Sequence, residues 1–239
     1  MTAKSVQQAL RAIATPERAK STATFFKSGK GQYGEGDVFI GVTVPQSRII
    51  AKQFKDLAMS EIETLLYSRM HEDRLVALHI LGLQCADANE KGRKQIYTFY
   101  IKHRVRVNNW DLVDTSASNI VGGYLHYKDR VPLYKLSRSN NLWDRRIAIV
   151  ATHFFILHND FADTYAIAEI LLHDRQDLIH KAVGWMLREA GKRNKLLLLA
   201  FLTTHAPAMP RTTLRYAIEH FSPEERHHYM NKKRPIEIV

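Results

Sequence analysis

Apolar side chains in this chain recur at the three- and four-residue spacing of a helix face. Leu75, Leu78, Ile80 and Leu81 form one such stripe, and Ile147, Val150, Ala151 and Phe154 form another. Strict alternation, the mark of a half-buried strand, is scarce. Glycine and proline thin out after residue 45, and several prolines stand where helices should begin: Pro45 ahead of 46–54, Pro132 ahead of 133–136 and Pro223 ahead of 224–229. Helical pattern also covers 17–27 and 161–172. Residues 28–36 read as a loop, Leu196 to Leu202 as a buried helix, and the basic tail over 231–239 as a frayed end. The pattern predicts an all-α chain.

That pattern repeats. When Arg74-Leu-Val-Ala, Asp111-Leu-Val-Asp, Arg146-Ile-Ala-Ile, Lys181-Ala-Val-Gly and Arg215-Tyr-Ala-Ile are laid under one another, their first residues lie 37, 35, 35 and 34 positions apart. Each block starts with a charge and continues apolar, with room between blocks for one more short helix. This is the period of stacked helix pairs, so the expected fold is a HEAT-like solenoid, curved, with a basic concave face. Regular spacing argues against a simple four- or five-helix bundle. With no composition shift and no long linker, residues 1–239 read as one repeat domain.

Charge narrows the partners. The chain carries 35 Lys and Arg against 24 Asp and Glu, a formal net charge of +11. An excess of that size favours a polyanion, nucleic acid before an acidic membrane. A single cysteine, Cys85, rules out an internal disulfide and a cysteine-built zinc site, and fits a reducing cytoplasm. The first residues lack the apolar run of a secretory signal, and no stretch is long and apolar enough to span a bilayer.

Most candidate motifs fail on context. Gly29-Lys-Gly-Gln-Tyr-Gly34 matches GxGxxG by letter, but helix precedes it where a dinucleotide fingerprint needs a strand, so it reads as a flexible basic loop. Twelve histidines include no HExxH pair, and no GxSxG elbow is present.

Three tryptophan segments carry more. Trp110 and Asp114 are four apart and share a helix face, with Arg106 upstream, while Asp111 lies off that face and is expected to cap or pair locally. Trp143 stands with Arg145 and Arg146, and Lys181, Trp185 and Arg188 form a stripe at i, i+4 and i+7. The structural alternative is core packing for each indole and a helix-start role for Asp114. Cations beside all three indoles favour a ligand surface instead. Arginines grip phosphates, indole faces attract positive charge, and one carboxylate stabilises a developing cation. Together they suit chemistry on a cationic nucleobase.

At these residues the sequence resembles the AlkD-type DNA alkylation repair enzymes, HEAT-like-repeat glycosylases that excise N3- and N7-alkylated purines. The resemblance spans nearly the whole chain, from Ala23-Thr-Phe-Phe-Lys27 through Phe39-Ile-Gly-Val-Thr-Val-Pro45. It is strongest at Trp110-Asp-Leu-Val-Asp114, Asn141-Leu-Trp-Asp-Arg-Arg146 and Lys181-Ala-Val-Gly-Trp-Met-Leu-Arg-Glu189. It implies Asp114 as the catalytic aspartate, Trp110 and Trp185 as contacts to the lesion's deoxyribose, and Arg146 and Arg188 on the DNA surface, joined by Lys181, Arg145, Trp143 and Phe25. It further implies double-stranded DNA containing alkylated purines as partner, a monomer, and no metal or cofactor. Two positions depart from the family pattern. Phe25 stands where a tyrosine is common, and Phe154 where a lysine sometimes lies. Both trim phosphate contacts rather than the catalytic set. The competing classes are a non-catalytic HEAT-like protein that binds DNA structures and a protein-interaction solenoid.

Overall fold

In a computed structural model that describes residues 1–231, the chain is all-α. The tail assigned as frayed falls, from residue 232 on, outside the described residues. Among the described residues no β-strand occurs, only an isolated parallel bridge between Val38 and Met70. No described helix is long and apolar enough to cross a membrane.

Two compact units divide the chain, Met1–Tyr124 and Leu125–Val239. The first opens with α1 (Ala3–Ala12) and α2 (Pro16–Phe25), then α3 (Val44–Gln53), α4 (Met59–Leu66), α5 (His71–Asp87), α6 (Glu90–His103) and α7 (Trp110–Ala117). A short turn at Arg104–Arg106 precedes α7; a wider-wound turn, Ser118–Gly122, and the single turn α8 (Gly123–Leu125) follow it. Sequence dictates several of these boundaries. Thr43 accepts from the Gln46 amide while the Gln46 side chain returns to the Thr43 amide, and this reciprocal cap starts α3 one residue ahead of Pro45. Asn89 and Asn109 cap α6 and α7 in the same spirit.

The hub of this unit is α5. Leu75 to Leu78, Ile80 and Leu81 are each at most 2% exposed, so the middle of the helix is buried on several sides rather than along one stripe. It packs against α1, α3, α4, α6 and α7. Burial of each Leu or Ile of this kind contributes about 1.5–3 kcal/mol. Glu72, also buried, accepts from the amides of Ile40, Gly41 and Val42 and so fixes the segment leading into α3. Gly41 sits at φ +85°, and a Cβ there would lie 2.1 Å from the Thr15 carbonyl oxygen, so glycine alone lets α2 dock on this segment.

The second unit holds α9 (Val131–Ser137), α10 (Leu142–Leu157), α11 (Ala162–Ile170), α12 (Asp177–Arg193), α13 (Lys195–His205), α14 (Arg211–Ala217) and α15 (Pro223–Asn231). Here α10 packs on α9, α11 and α12, and α12 packs on α13 and α14. The charged residues that begin the repeat blocks fall on α5, α7, α10, α12 and α14, with another helix between each successive pair. That helix-by-helix order agrees with a helical solenoid. One expectation is revised: in α13 Leu198 and Leu202 are buried, but Leu196 is 78% exposed and Leu197 is exposed too, so this helix buries a face rather than its circumference.

Candidate active site

The start of α7 is tied down by charge. Asn109 is fully buried; its side-chain oxygen accepts from the Trp110 amide at 2.8 Å and its Nδ2 donates to Asp37 Oδ2 at 2.9 Å. One residue into the helix, Asp111 Oδ2 lies 2.7 Å from His71 Nε2, while its Oδ1 accepts from the Leu112 amide. The other ring nitrogen of His71 is 3.1 Å from Asp37 Oδ2, and Arg74 Nη2 donates to Asp37 Oδ1 at 2.5 Å. Burial alone would lower the His71 pKa, but the Asp111 charge and the hydrogen bonds to Asp111 and Asp37 raise it to about 9. Burial would likewise raise the Asp37 carboxyl; His71, Arg74 and Asn109 together bring it down to about 2. At neutral pH the cluster therefore holds an imidazolium between two carboxylates. Asp111 does pair, and its partner is His71.

Aromatic rings continue from this cluster to the surface. Phe39 stacks on His71 at 4.6 Å, Phe26 on Phe39 at 5.2 Å, and Trp110 on Phe26 at 5.0 Å with the planes 16° apart. Phe25, 65% exposed, meets the Trp110 ring edge-on at 5.9 Å. The indole N–H donates to the Tyr33 hydroxyl at 3.3 Å. Held on a face and at its N–H, Trp110 is half-buried with a fixed ring plane. Asp114 follows one turn later, also half-buried, inside α7 rather than at its start.

Tyr33 belongs to the glycine-rich loop. No strand precedes that loop, and its turns are held by bonds from the Gly34 amide to the Lys27 carbonyl and from the Gly31 amide to Glu35. These bonds shape the loop that brings the Tyr33 hydroxyl to the Trp110 indole.

In the second unit α12 presents Lys181, Trp185 and Arg188 in sequence. Lys181 lies 2.7 Å from Asp177; Arg188 donates to Glu189 at 3.0 Å and also to Glu219. Trp185 is half-buried, with the His153 ring 5.9 Å away. Gly184 sets the crossing of α12 with α14, since a Cβ there would come within 2.6 Å of the Thr213 carbonyl oxygen. A cleft of about 600 Å³ beside that crossing is lined by Lys181, Arg188, Thr212 and Arg215.

The residues of α10 have a different setting. Trp143 is 9% exposed and Arg146 5%, with the Arg146 guanidinium donating to the Leu178 carbonyl. Arg145 pairs with Asp174 at 2.5 Å and donates to the carbonyls of Ser139 and Asn140. Arg106 reaches the carbonyls of Leu66 and Ser68. These three arginines bind the fold's own carbonyls and carboxylates, so packing accounts for part of the cation-beside-indole pattern. The structure thus brings together Phe25, Trp110 and Asp114 in one unit and Lys181, Trp185 and Arg188 in the other. Among the described residues no three His, Cys, Asp or Glu side chains gather as metal ligands.

A family model described as DNA alkylation repair enzyme matches residues 6–221. The chain belongs to the DNA alkylation repair enzyme family. A solved structure described as "Predicted DNA alkylation repair enzyme from Enterococcus faecalis" is similar in fold, with a TM-score of 0.68 at 17% identity, covering 88% of this chain and 97% of that one. No curated protein matches the chain.

Proposed function

We propose that this family member is a DNA glycosylase that hydrolyses the N-glycosidic bond of N3- and N7-alkylated purines in double-stranded DNA. It would act in the cytoplasm as a monomer, without metal or cofactor. One observation carries the reading. Trp110 and Asp114 lie a turn apart on α7, while Asp111, the other carboxylate of that stretch, is consumed by His71.

The chemistry asks little acid of the protein. An alkylated purine already bears positive charge, so the C1′–N bond breaks with both electrons going to the base, which leaves neutral. The sugar left behind is an oxocarbenium-like cation. Asp114 as a carboxylate stabilises that charge and orients a water, whose oxygen bonds to C1′ as its proton passes to the carboxylate or solvent. Trp110, unable to rotate between Phe26 and Tyr33, supplies a flat wall for the sugar. The resemblance adds Trp185 as another contact to the deoxyribose, and Lys181, Arg188 and Phe25 as contacts to the strand. Trp143, Arg145 and Arg146 support the DNA-facing surface from the packing of α10.

Base release from methylated duplex tests the reading. Asp114→Asn should bind DNA as the wild type does and release 7-methylguanine about 100-fold more slowly, the loss typical of removing one preorganised electrostatic partner. Equal release by both proteins would sink the catalytic assignment. DNA binding with no release even by the wild type would favour the non-catalytic DNA-binding class.

A further inference from the structure

The groove between α3, α5 and α7 contains a cleft of about 320 Å³, near the lower bound of roughly 300 Å³ for a small-molecule site. Its floor includes Gly82, in the interior of α5. Glycine there weakens a helix relative to alanine, and packing does not demand it, because a Cβ would meet nothing within 4 Å. The space above Gly82 is therefore kept open at a cost to the helix.

The walls are mixed, with Leu78, Leu83 and Ala86 beside a few polar side chains. His79 lines the cleft, and its Nε2 is buried without a hydrogen-bond partner. Burial and the nearby Arg48 charge hold its pKa down to about 4, so the ring is neutral, and in the Nε2–H tautomer that nitrogen is a donor suited to an anionic oxygen. Arg48 and Lys52, one turn apart on α3, stand exposed at the rim and form no ion pair with a described carboxylate. They differ in this from Arg145, Lys181 and Arg188, each already facing a carboxylate. Thr115, the residue after Asp114, lies on the opposite wall.

We propose that this cleft is a phosphate subsite that seats a backbone phosphodiester of the DNA strand, with Arg48 and Lys52 supplying charge and His79 a buried hydrogen-bonding nitrogen. The inference rests on the glycosylase reading for its choice of DNA as ligand, and it adds a strand grip in the same unit as Asp114. A phosphodiester in a two-cation rim releases about one counterion, so its loss lowers the salt dependence of binding by a slope of about 0.9.

The experiment measures affinity of the full chain for a duplex bearing a tetrahydrofuran abasic site, which has no base to lose, across a salt series. Arg48→Ala/Lys52→Ala should weaken binding about tenfold at low salt and reduce the slope of log K against log salt by about 0.9, with the melting temperature unchanged. Gly82→Leu, which fills the cleft and leaves both cations, should also weaken binding. Affinity and slope unchanged in both variants would overturn the subsite. A second arm titrates deoxyadenosine 5′-phosphate. If the variants lose the nucleotide yet keep full duplex affinity, the ligand is a free phosphate and the strand assignment falls. Because no base is released here, an inactive wild type whose duplex binding still depends on Arg48 and Lys52 defeats the glycosylase reading alone.

Discussion

The buried imidazolium under α7 makes stability depend on pH in a defined window. His71 has an ordinary pKa of 6.5 and is raised to about 9 in the folded chain. A group raised on folding contributes its full stability below the unfolded value and loses it as pH climbs through the folded one. The contribution is therefore complete below about pH 6.5, declines between there and about pH 9, and is gone above. At about 1.4 kcal/mol per pH unit the gap corresponds to about 3 kcal/mol. The charges facing His71 are Asp111 from α7, Asp37 from the segment between α2 and α3, and Arg74 from its own helix. Asp37 has the opposite sign: its lowered pKa contributes stability above about 3.8 that disappears as pH falls through about 2. His71 and Asp37 share one contact, so these contributions overlap.

Urea unfolding at a series of pH values, with wild type and His71→Gln in parallel, isolates the effect from other titrating groups. The variant cannot take the proton, and it should be less stable by about 3 kcal/mol near pH 6 and approach the wild type near pH 10. The difference between the two curves is the quantity read, and the His71 Cε1 resonance should titrate near the same pH. A difference that stays constant within about 0.5 kcal/mol from pH 6.5 to pH 9 would show that His71 does not bind its extra proton in the folded state, and the argument from the cluster would fail.

Other changes have equally direct readouts. Gly184→Ala places a methyl 2.5 Å from Tyr216 Cβ and should cost about 1–3 kcal/mol at the α12 and α14 crossing, measured by chemical denaturation. Tyr33→Phe removes the acceptor of the Trp110 N–H and should cost about 1 kcal/mol, with a shift in indole fluorescence; an unshifted spectrum would mean that Trp110 does not depend on the loop.

The sequence revealed what local spacing controls. The stripes on α5 and α10 and the prolines near the starts of α3, α9 and α15 all act within a few residues of where they stand, so the helical content could be read before any tertiary contact was known. The loop over 28–36 was legible for the same reason. What escaped depends on pairings far along the chain. His71 and Asp111 are 40 residues apart, Tyr33 and Trp110 are 77 apart, and no periodicity links them. The contacts of the α10 arginines were hidden for a related reason: a cation beside an indole looks the same in sequence whether it faces solvent or, like Arg146, a backbone carbonyl of another helix.

The buried cluster also bears on which aspartate of α7 can work. Asp111 and Asp114 are three apart, where like charges on a helix repel. An ionised Asp111 with no counter-charge would oppose a second negative charge one turn on. The proton on His71 cancels that opposition, and Arg74 does the same for Asp37, so two carboxylates and two cations balance beneath the first turn. The arrangement costs desolvation that a hydrophobic cluster of the same volume would avoid, and ion pairs of this kind are weak arguments for stability. Their value here is positional. They fix Asn109, the cap of α7, and through it the direction in which Trp110 and Asp114 leave the helix, without adding net charge beneath it. In the hydrolysis proposed above, that fixed direction is what would hold Asp114 preorganised toward the charge developing on the sugar.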